Sequence, residues 1–406
     1  SVGQTMGIGK NEVILSVAPY SFDICLPDWS WALTYGGKLI FVEGDVYHDS
    51  SRMIEKINAS KPTHLQATPS FWEMLLEEGK PWPKDIRLVS TGEAMSHHLR
   101  ERLRKRSSNA WNLYGPTETT VWSCTCNISE DTIPNSIGLP IDNTPIYIQK
   151  EDGQLAKPGE KGELLIGGAG LARGYLNDVA KTQAAFSTVD SITTERLYKT
   201  GDLVRQHESG ILEYLGRLDH QVKIRGFRIE LGEIDSAIQK HPDVTSSVTV
   251  LREESAADKK IITYVVRIPE ASTTYGGYRE FLEKSLPQHM IPASIEVLEK
   301  MPLNSNGKIN RSALPDPSTL RRDINTDYAD PTEAIHTELI AIWEEVLNIE
   351  GLGIDDNFFE AGGHSLTAMQ ITNRVREKYN TDIPIRMIFG LPTIRQFSEQ
   401  LKGQIG

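Results

Sequence analysis

The sequence predicts three folded units in series: an α/β unit that passes into an antiparallel β region, a small α+β unit, and an all-α bundle. Three observations carry this. Short apolar runs alternate with helical spacing up to about residue 110. From there to about 220, Gly, Pro and short β-rich runs take over. From Asp330 onward the chain carries amphipathic helical stripes. The 406 residues have room for two to three domains. With 39% apolar and 24% charged residues, the composition is that of folded domains with sizeable cores.

In the first unit, Val13–Val17, Lys38–Val42, Thr63–Ala67 and Ile86–Ser90 read as buried strands. Ser50–Ala59 and Ser70–Glu78 have helical spacing between them, which suggests a largely parallel sheet. Pro145–Gln149, Gly162–Gly167, Tyr198–Val204 and Ile211–Leu215 read as strands of an antiparallel, barrel-like or sandwich region. The α+β unit begins near Asp219. Glu233–Lys240 and Tyr278–Leu286 read as helices, Val244–Arg252 and Lys260–Arg267 as strands. Leu314–Pro317 and the polar run after it read as a linker. In the last unit Glu333–Leu347, Ser365–Tyr379 and Thr393–Leu401 read as helices, the third capped by Thr393. That unit is acidic, with twelve Asp/Glu against six Lys/Arg over residues 330–403, a net charge of −6.

Composition excludes several function classes. A net charge of −12 argues against nucleic-acid binding. No run of about 18 apolar residues offers a membrane span. Ser1–Lys10 lacks the basic-then-apolar pattern of a signal peptide. Cys25, Cys124 and Cys126 are too few for a disulfide framework and point to a reducing cytoplasm. Cys124 and Cys126, with no second Cys/His cluster nearby, read as strand thiols rather than metal ligands.

Five short segments carry polar groups suited to chemistry, and each also has a plain structural reading. Asn112–Glu118 contains a Gly-Pro turn, or a hydroxyl and backbone cradle for phosphate with Glu118 placed for Mg²⁺. Tyr198–Leu203 contains an ordinary Thr-Gly-Asp turn, or a carboxylate able to accept from two ribose hydroxyls. Gly216–Glu233 places Lys223, Arg225 and Arg228 on a hairpin around Gly226. Asn306–Arg311 presents Lys308 after a turn, where a mobile ammonium suits phosphate charge. Gly362–Leu366 opens a helix at Ser365. It is not a nucleophile elbow, because Thr367 stands where Gly is needed and no strand precedes it. Gly167–Gly174 has the wrong spacing for a dinucleotide loop.

Together, in this order and spacing, the five segments resemble the adenylation and peptidyl-carrier domains of nonribosomal peptide synthetases. Phe22-Asp23, Gly162–Leu176 and Leu286–Pro292 match further motifs of that family. The resemblance implies part of an ANL-type adenylate-forming core over 1–218 and a small C-terminal α+β subdomain over 219–316. It implies a linker over 317–329 and a four-helix carrier bundle over 330–404. The family's Thr/Ser/Gly/Lys-rich phosphate loop has no counterpart here, so the chain is expected to start inside the adenylation core. A catalytically silent carrier and docking fragment is therefore one alternative. An acyl-CoA ligase is another, against which Asp23 and Ser365 stand.

The resemblance implies formation of an aminoacyl adenylate from ATP, then of a thioester on a 4′-phosphopantetheine arm at Ser365. Asn112 and Tyr114, with Gly92, Glu93 and Ala94, would flank the adenine. Thr117 would contact phosphate and Glu118 bind Mg²⁺. Asp202 and Arg217 would hold the ribose, and Lys308 would bridge the substrate carboxylate and phosphate. Asp219 would be the hinge that exchanges Lys308 for the Lys223 hairpin between half-reactions. Asp23 would pair with the substrate α-ammonium, in a pocket lined by Ile24, Pro27, Gln66, Val89, Thr91, Leu113, Val121 and Trp122. The bulk of Trp122 and the absence of charge in the lining suggest glycine or another small amino acid. Implied partners are a phosphopantetheinyl transferase, a condensation or release domain and an MbtH-like activator. His364 before Ser365 resembles carriers that hand on without epimerisation.

Overall fold

Residues 13–114 alternate strand and helix as their hydrophobic spacing dictates. The strands are β1 (Val13–Ser16), β2 (Lys38–Phe41), β3 (His64–Ala67), β4 (Arg87–Thr91) and β5 (Ala110–Tyr114). They pair in parallel in the order β2-β1-β3-β4-β5. Every residue of β3 and β4 is buried, as in strands covered on both faces. Helices α1 (Cys25–Tyr35), α2 (Ser50–Ser60), α3 (Pro69–Glu77) and α4 (His97–Arg106) make the crossovers. Thr68 and Ser96 cap α3 and α4, accepting from the amides of Phe71 and Leu99. Gly36 closes α1 at φ 73°, a left-handed position that glycine takes without strain. The computed structural model describes all residues except 48, 220, 225, 254–258, 270, 272, 305–308, 318–327, 364 and 406, and only the backbone of 45, 365 and 366.

After β5 the sheet changes sense. β6 (Cys124–Asn127) runs antiparallel to β5 and carries Cys124 and Cys126 as buried thiols. Then follow β7 (Ser136–Pro140), β8 (Ile146–Gln149), β9 (Lys161–Ile166), β10 (Phe186–Val189), β11 (Thr193–Gln206) and β12 (Leu212–Arg217). These strands do not close into a separate barrel or sandwich. Because β6 takes the free edge of β5, the order continues β5-β6-β7-β12-β11-β9-β8, with β10 on β11, in one twelve-stranded sheet. Cys124, Ile137, Leu164, Ile166, Val204 and Leu212 form the core of this half.

β13 (Gln221–Ile224) and β14 (Phe227–Glu230) pair as a two-stranded ribbon with Gly226 at φ 83° between them. The α+β part holds α5 (Leu231–Ile238), β15 (Val244–Glu253), β16 (Lys259–Arg267), α6 (Tyr275–Glu283) and β17 (Ser294–Leu298). α6 starts three residues earlier than its apolar spacing suggests, because Thr274 caps it from the amide of Gly277. Leu314 packs against Val248, Val250, Ile262 and Tyr264. The carbonyls of Leu314 and Pro315 accept from Arg252 at 2.9 and 3.2 Å, so the linker begins docked on this subdomain.

The last part is four helices: α7 (Ala334–Leu347), α8 (Ser365–Tyr379), α9 (Arg386–Gly390) and α10 (Ile394–Ile405). Trp343 lies edge-on to Phe358 and Phe397 at 5.4 and 6.3 Å, with Leu339, Ile371, Val375 and Leu401 buried around them. Thr393 caps α10 through the amide of Gln396, as expected. By density of contact the chain divides into two units, 1–43 with 50–228, and 44–49 with 229–406. No helix of the described residues is long and apolar enough to cross a membrane.

Candidate active site

The parallel part of the sheet places the predicted residues at the carboxyl ends of its strands, where ligands bind in open α/β sheets. Gln66 is next to last in β3, Val89 is at the middle and Thr91 at the end of β4, and Gly92, Glu93 and Ala94 follow at once. Leu113 and Tyr114 end β5, and the loop to β6 contributes Thr117, Glu118, Val121 and Trp122. Asp23, Ile24 and Pro27 lie at the start of α1, after β1.

The loop between β5 and β6 is tightly folded. A Cβ on Gly115 would fall 2.5 Å from the Trp122 Cα and from the Val121 carbonyl, so only glycine fits there. Thr120 and Val121 stand at φ 65° and 68°, a conformation that costs a β-branched residue energy. The turn is held by the Ser123 amide donating to the Tyr114 carbonyl at 2.7 Å. It delivers Trp122 into the core beside Val89 and Leu113, stacked on Trp31 at 5.6 Å. The Trp122 indole donates to the Thr91 hydroxyl at 3.1 Å. Ile24, Gln66, Val89, Thr91, Leu113 and Trp122 are all buried, while Val121 and Asp23 are half-buried.

Asp202, Tyr114, Arg217 and Asp219 form a single cluster. Asp202 and Arg217 face each other across β11 and β12 and pair at 3.0 Å. The Tyr114 hydroxyl donates to Asp202. Burial pushes the Tyr114 phenol up, and the adjacent Asp202 charge adds to that. Arg217 also donates to both oxygens of Asp219, at 2.8 and 2.5 Å, and to the Thr200 carbonyl. Asn112 is tied down separately, its amide donating to the Ser136 carbonyl at 3.0 Å. Lys223, on β13, is half-buried, and burial lowers its ammonium.

Glu118 has partners the sequence did not suggest. Arg228 donates to both its oxygens, at 2.8 and 2.7 Å, and the Tyr175 hydroxyl donates to one at 2.6 Å. Burial pushes the Glu118 carboxyl up, but Arg228 and Tyr175 outweigh it and hold the pKa below the ordinary value. Both donors lie in segments singled out by motif. Neither a tyrosine in a Gly-rich loop nor a third cation on a hairpin signals a carboxylate partner by itself. Glu93 accepts from the Ser70 hydroxyl at 2.6 Å and from the Gly226 amide. A Cβ on Gly226 would reach within 2.9 Å of the Phe22 ring, so the ribbon's turn depends on glycine. Lys308 and His364 lie outside the described residues, and Ser365 is the first residue of α8. Among the described residues no group of three or more His, Cys, Asp or Glu side chains is placed to hold a metal ion.

The model of the AMP-binding enzymes matches residues 1–176, and the model of the phosphopantetheine attachment site matches 337–401. Gramicidin S synthase 2 of Aneurinibacillus migulanus is 37% identical over 407 residues, 98% of this chain and 9% of its own length. The chain carries an AMP-binding domain and a phosphopantetheine-attachment domain and is similar to nonribosomal peptide synthetases along nearly its whole length. Bacitracin synthase 1 of Bacillus licheniformis is 38% identical over 96% of this chain, which covers 8% of it. The chain thus spans a small fraction of the curated synthetases it matches. A solved synthetase containing adenylation and carrier domains, bound to a vinylsulfonamide inhibitor, shares 26% identity at a TM-score of 0.80, covering 98% of this chain and 67% of that one. A four-domain synthetase solved with AMP and glycine shares 33% identity at a TM-score of 0.52, covering 99% and 30%.

Proposed function

We propose that this chain selects an amino acid, activates it with ATP as aminoacyl-AMP, and loads it as a thioester on its own carrier domain. One observation carries the reading. Tyr114, Asp202 and Arg217 bond into one cluster, and Asp23 stands at the start of α1, in a chain that also bears a helix opening at Ser365. Asp202 accepts the ribose hydroxyls, with Arg217 holding its charge in place. Tyr114, Asn112 and Gly92–Ala94 flank the adenine, and Thr117 meets phosphate. Asp23 pairs with the substrate ammonium, and Lys308 with its carboxylate and the phosphate oxygens. Most of the rate comes from positioning and charge neutralisation.

Glu118, buried and held anionic, is the right donor for a hard cation. Both its oxygens are bonded to Arg228 here, so a metal at Glu118 requires Arg228 to withdraw. Bound Mg²⁺ would neutralise phosphate charge at that point. A pantetheine arm on Ser365 would supply the accepting thiol. The domain boundaries follow the scheme of 1–218, 219–316, a linker over 317–329 and a carrier over 330–404, with Asp219 as hinge. Partners are a phosphopantetheinyl transferase, a condensation or release domain and an MbtH-like activator.

Trp122 is buried and bonded to Thr91, and its bulk in the proposed pocket favours glycine or another small amino acid. The glycine-bound four-domain relative supports that choice. Amino-acid-dependent ATP–pyrophosphate exchange across a full panel tests the reading. Glycine or alanine should give the highest exchange. A preference for a charged or aromatic amino acid overturns the substrate, and no exchange with any amino acid in the full-length protein overturns the function.

A further inference from the structure

The turn of the β13–β14 ribbon is seated on two carboxylates. The Gly226 amide donates to Glu93. Two residues on, Arg228 donates to both oxygens of Glu118, at 2.8 and 2.7 Å, and to the Tyr198 hydroxyl at 3.4 Å. Glu93 and Glu118 are the same two carboxylates that the proposed function sets beside the adenine and at the metal. The seated ribbon therefore uses groups that the nucleotide complex needs.

The two sides of the Glu118–Arg228 pair differ in their freedom. The Glu118 side chain is 9% exposed, and a buried carboxylate left without a counter-charge is strongly disfavoured. The Arg228 side chain is 33% exposed, so it can turn out to solvent without being stranded. Glu118 also keeps its direction without Arg228, because the Tyr175 hydroxyl donates to it at 2.6 Å. Tyr175 is held apart from the ribbon. Its amide donates to the Thr182 hydroxyl at 2.9 Å, and its ring lies edge-on to Phe186 at 5.9 Å. Glu118 is thus a fixed anion that needs a cation at all times, and Arg228 is a removable one.

We propose that Arg228 and a nucleotide-bound divalent cation are alternative counter-ions of Glu118, so that the ribbon is seated only when no metal is held there. Arg228 is a positioning residue in this scheme. Exclusion of this kind is reciprocal: the factor by which the seated ribbon weakens the metal is the factor by which the metal weakens the seat. Lys223 rides on the same ribbon, so its approach is tied to the same exchange. The proposal rests on the reading of Glu118 as the metal-binding carboxylate.

The probe is the Mn²⁺ chelate of α,β-methylene-ATP, which cannot transfer AMP, titrated calorimetrically into the full-length protein. Arg228→Met should tighten the chelate about tenfold, and Arg228→Lys, which keeps the charge, should return it most of the way to wild type. The metal-free nucleotide, in EDTA, should bind Arg228→Met no more tightly than wild type. Hydrogen exchange over 221–230 of the wild type should quicken with the chelate and not with the metal-free nucleotide. Glu118→Gln should weaken the chelate. If it does not, the reading of Glu118 fails and the exchange of counter-ions with it. If Glu118→Gln weakens the chelate but Arg228→Met fails to tighten it, or tightens the metal-free nucleotide equally, the exchange alone is overturned. Should Arg228→Met not fold, Arg228→Gln, polar but uncharged, carries the same test.

Discussion

Asp28 and His64 are displaced in opposite directions by one cause. Burial pushes the Asp28 carboxyl up to about 8, with the Ser16 hydroxyl opposing, and pushes His64 down to about 3, with Arg87 adding to the shift. Arg87 is itself paired with Glu12 at 3.1 Å, and on α1 the Asp28 charge reaches Cys25. Between those limits the pair holds one exchangeable proton and no net charge. Folded Asp28 keeps a proton that the unfolded chain loses above about pH 4, so its contribution to stability falls as pH rises to 8. Folded His64 refuses a proton that the unfolded chain takes below about 6.5, so its contribution rises with pH up to there. The two slopes cancel between about pH 4 and 6.5 and leave only the Asp28 slope above. Across pH 6.5 to 8 the wild type should lose about 2 kcal/mol relative to Asp28→Asn. Denaturant unfolding of both proteins at several pH values checks this, and parallel curves would refute it. None of this was legible in the sequence, where Asp28 and His64 are ordinary residues 36 positions apart. Asp202, Arg217 and Tyr114 were legible as candidates, but their mutual pairing depends on the register of β11 on β12.

At the scale of elements, the proposed division of labour between the half-reactions sets Lys223, on the ribbon β13–β14, against Lys308. Lys223 and Arg228 sit on the ribbon, and Lys308 lies outside the described residues. Lys308→Ala should lower amino-acid-dependent pyrophosphate exchange by orders of magnitude, a loss of about 3–4 kcal/mol for one preorganised donor. Lys223→Ala should spare exchange more than it spares carrier loading. Rapid-quench measurement of both half-reactions decides the matter, and equal damage to both steps from both changes would end the division. Four strands, β1 to β4, and the helices α2 and α3 were legible to within a residue or two, because buried strands between amphipathic helices leave a strong periodic signal, whereas α1, α4 and β5 were not assigned from it. The start of α6 was not legible, since Thr274 as a cap competes with an apolar stripe that begins later. The continuous sheet was also hidden. Whether β-rich runs close into a barrel or extend an existing edge depends on which strand claims β5, and that pairing is long-range.

The molecule as a whole joins an AMP-binding domain to a helical phosphopantetheine-attachment domain. Incubation with coenzyme A and a phosphopantetheinyl transferase should raise the intact mass by one pantetheine arm, and Ser365→Ala should abolish the gain. Modification that survives this substitution, or no gain in the wild type, would refute Ser365 as the attachment point. By itself the sequence determined the succession of element types, three of the helices of the last unit, and the motif residues proposed for the nucleotide and amino-acid sites. These are local in the chain, written in spacing and in short motifs. Only the tertiary structure decided that β6 extends the parallel sheet, that Arg228 and Tyr175 close on Glu118, and that the Gly226 amide meets Glu93. Each of those joins residues far apart in sequence through hydrogen bonds whose partners are chosen by packing, and no local pattern records that choice.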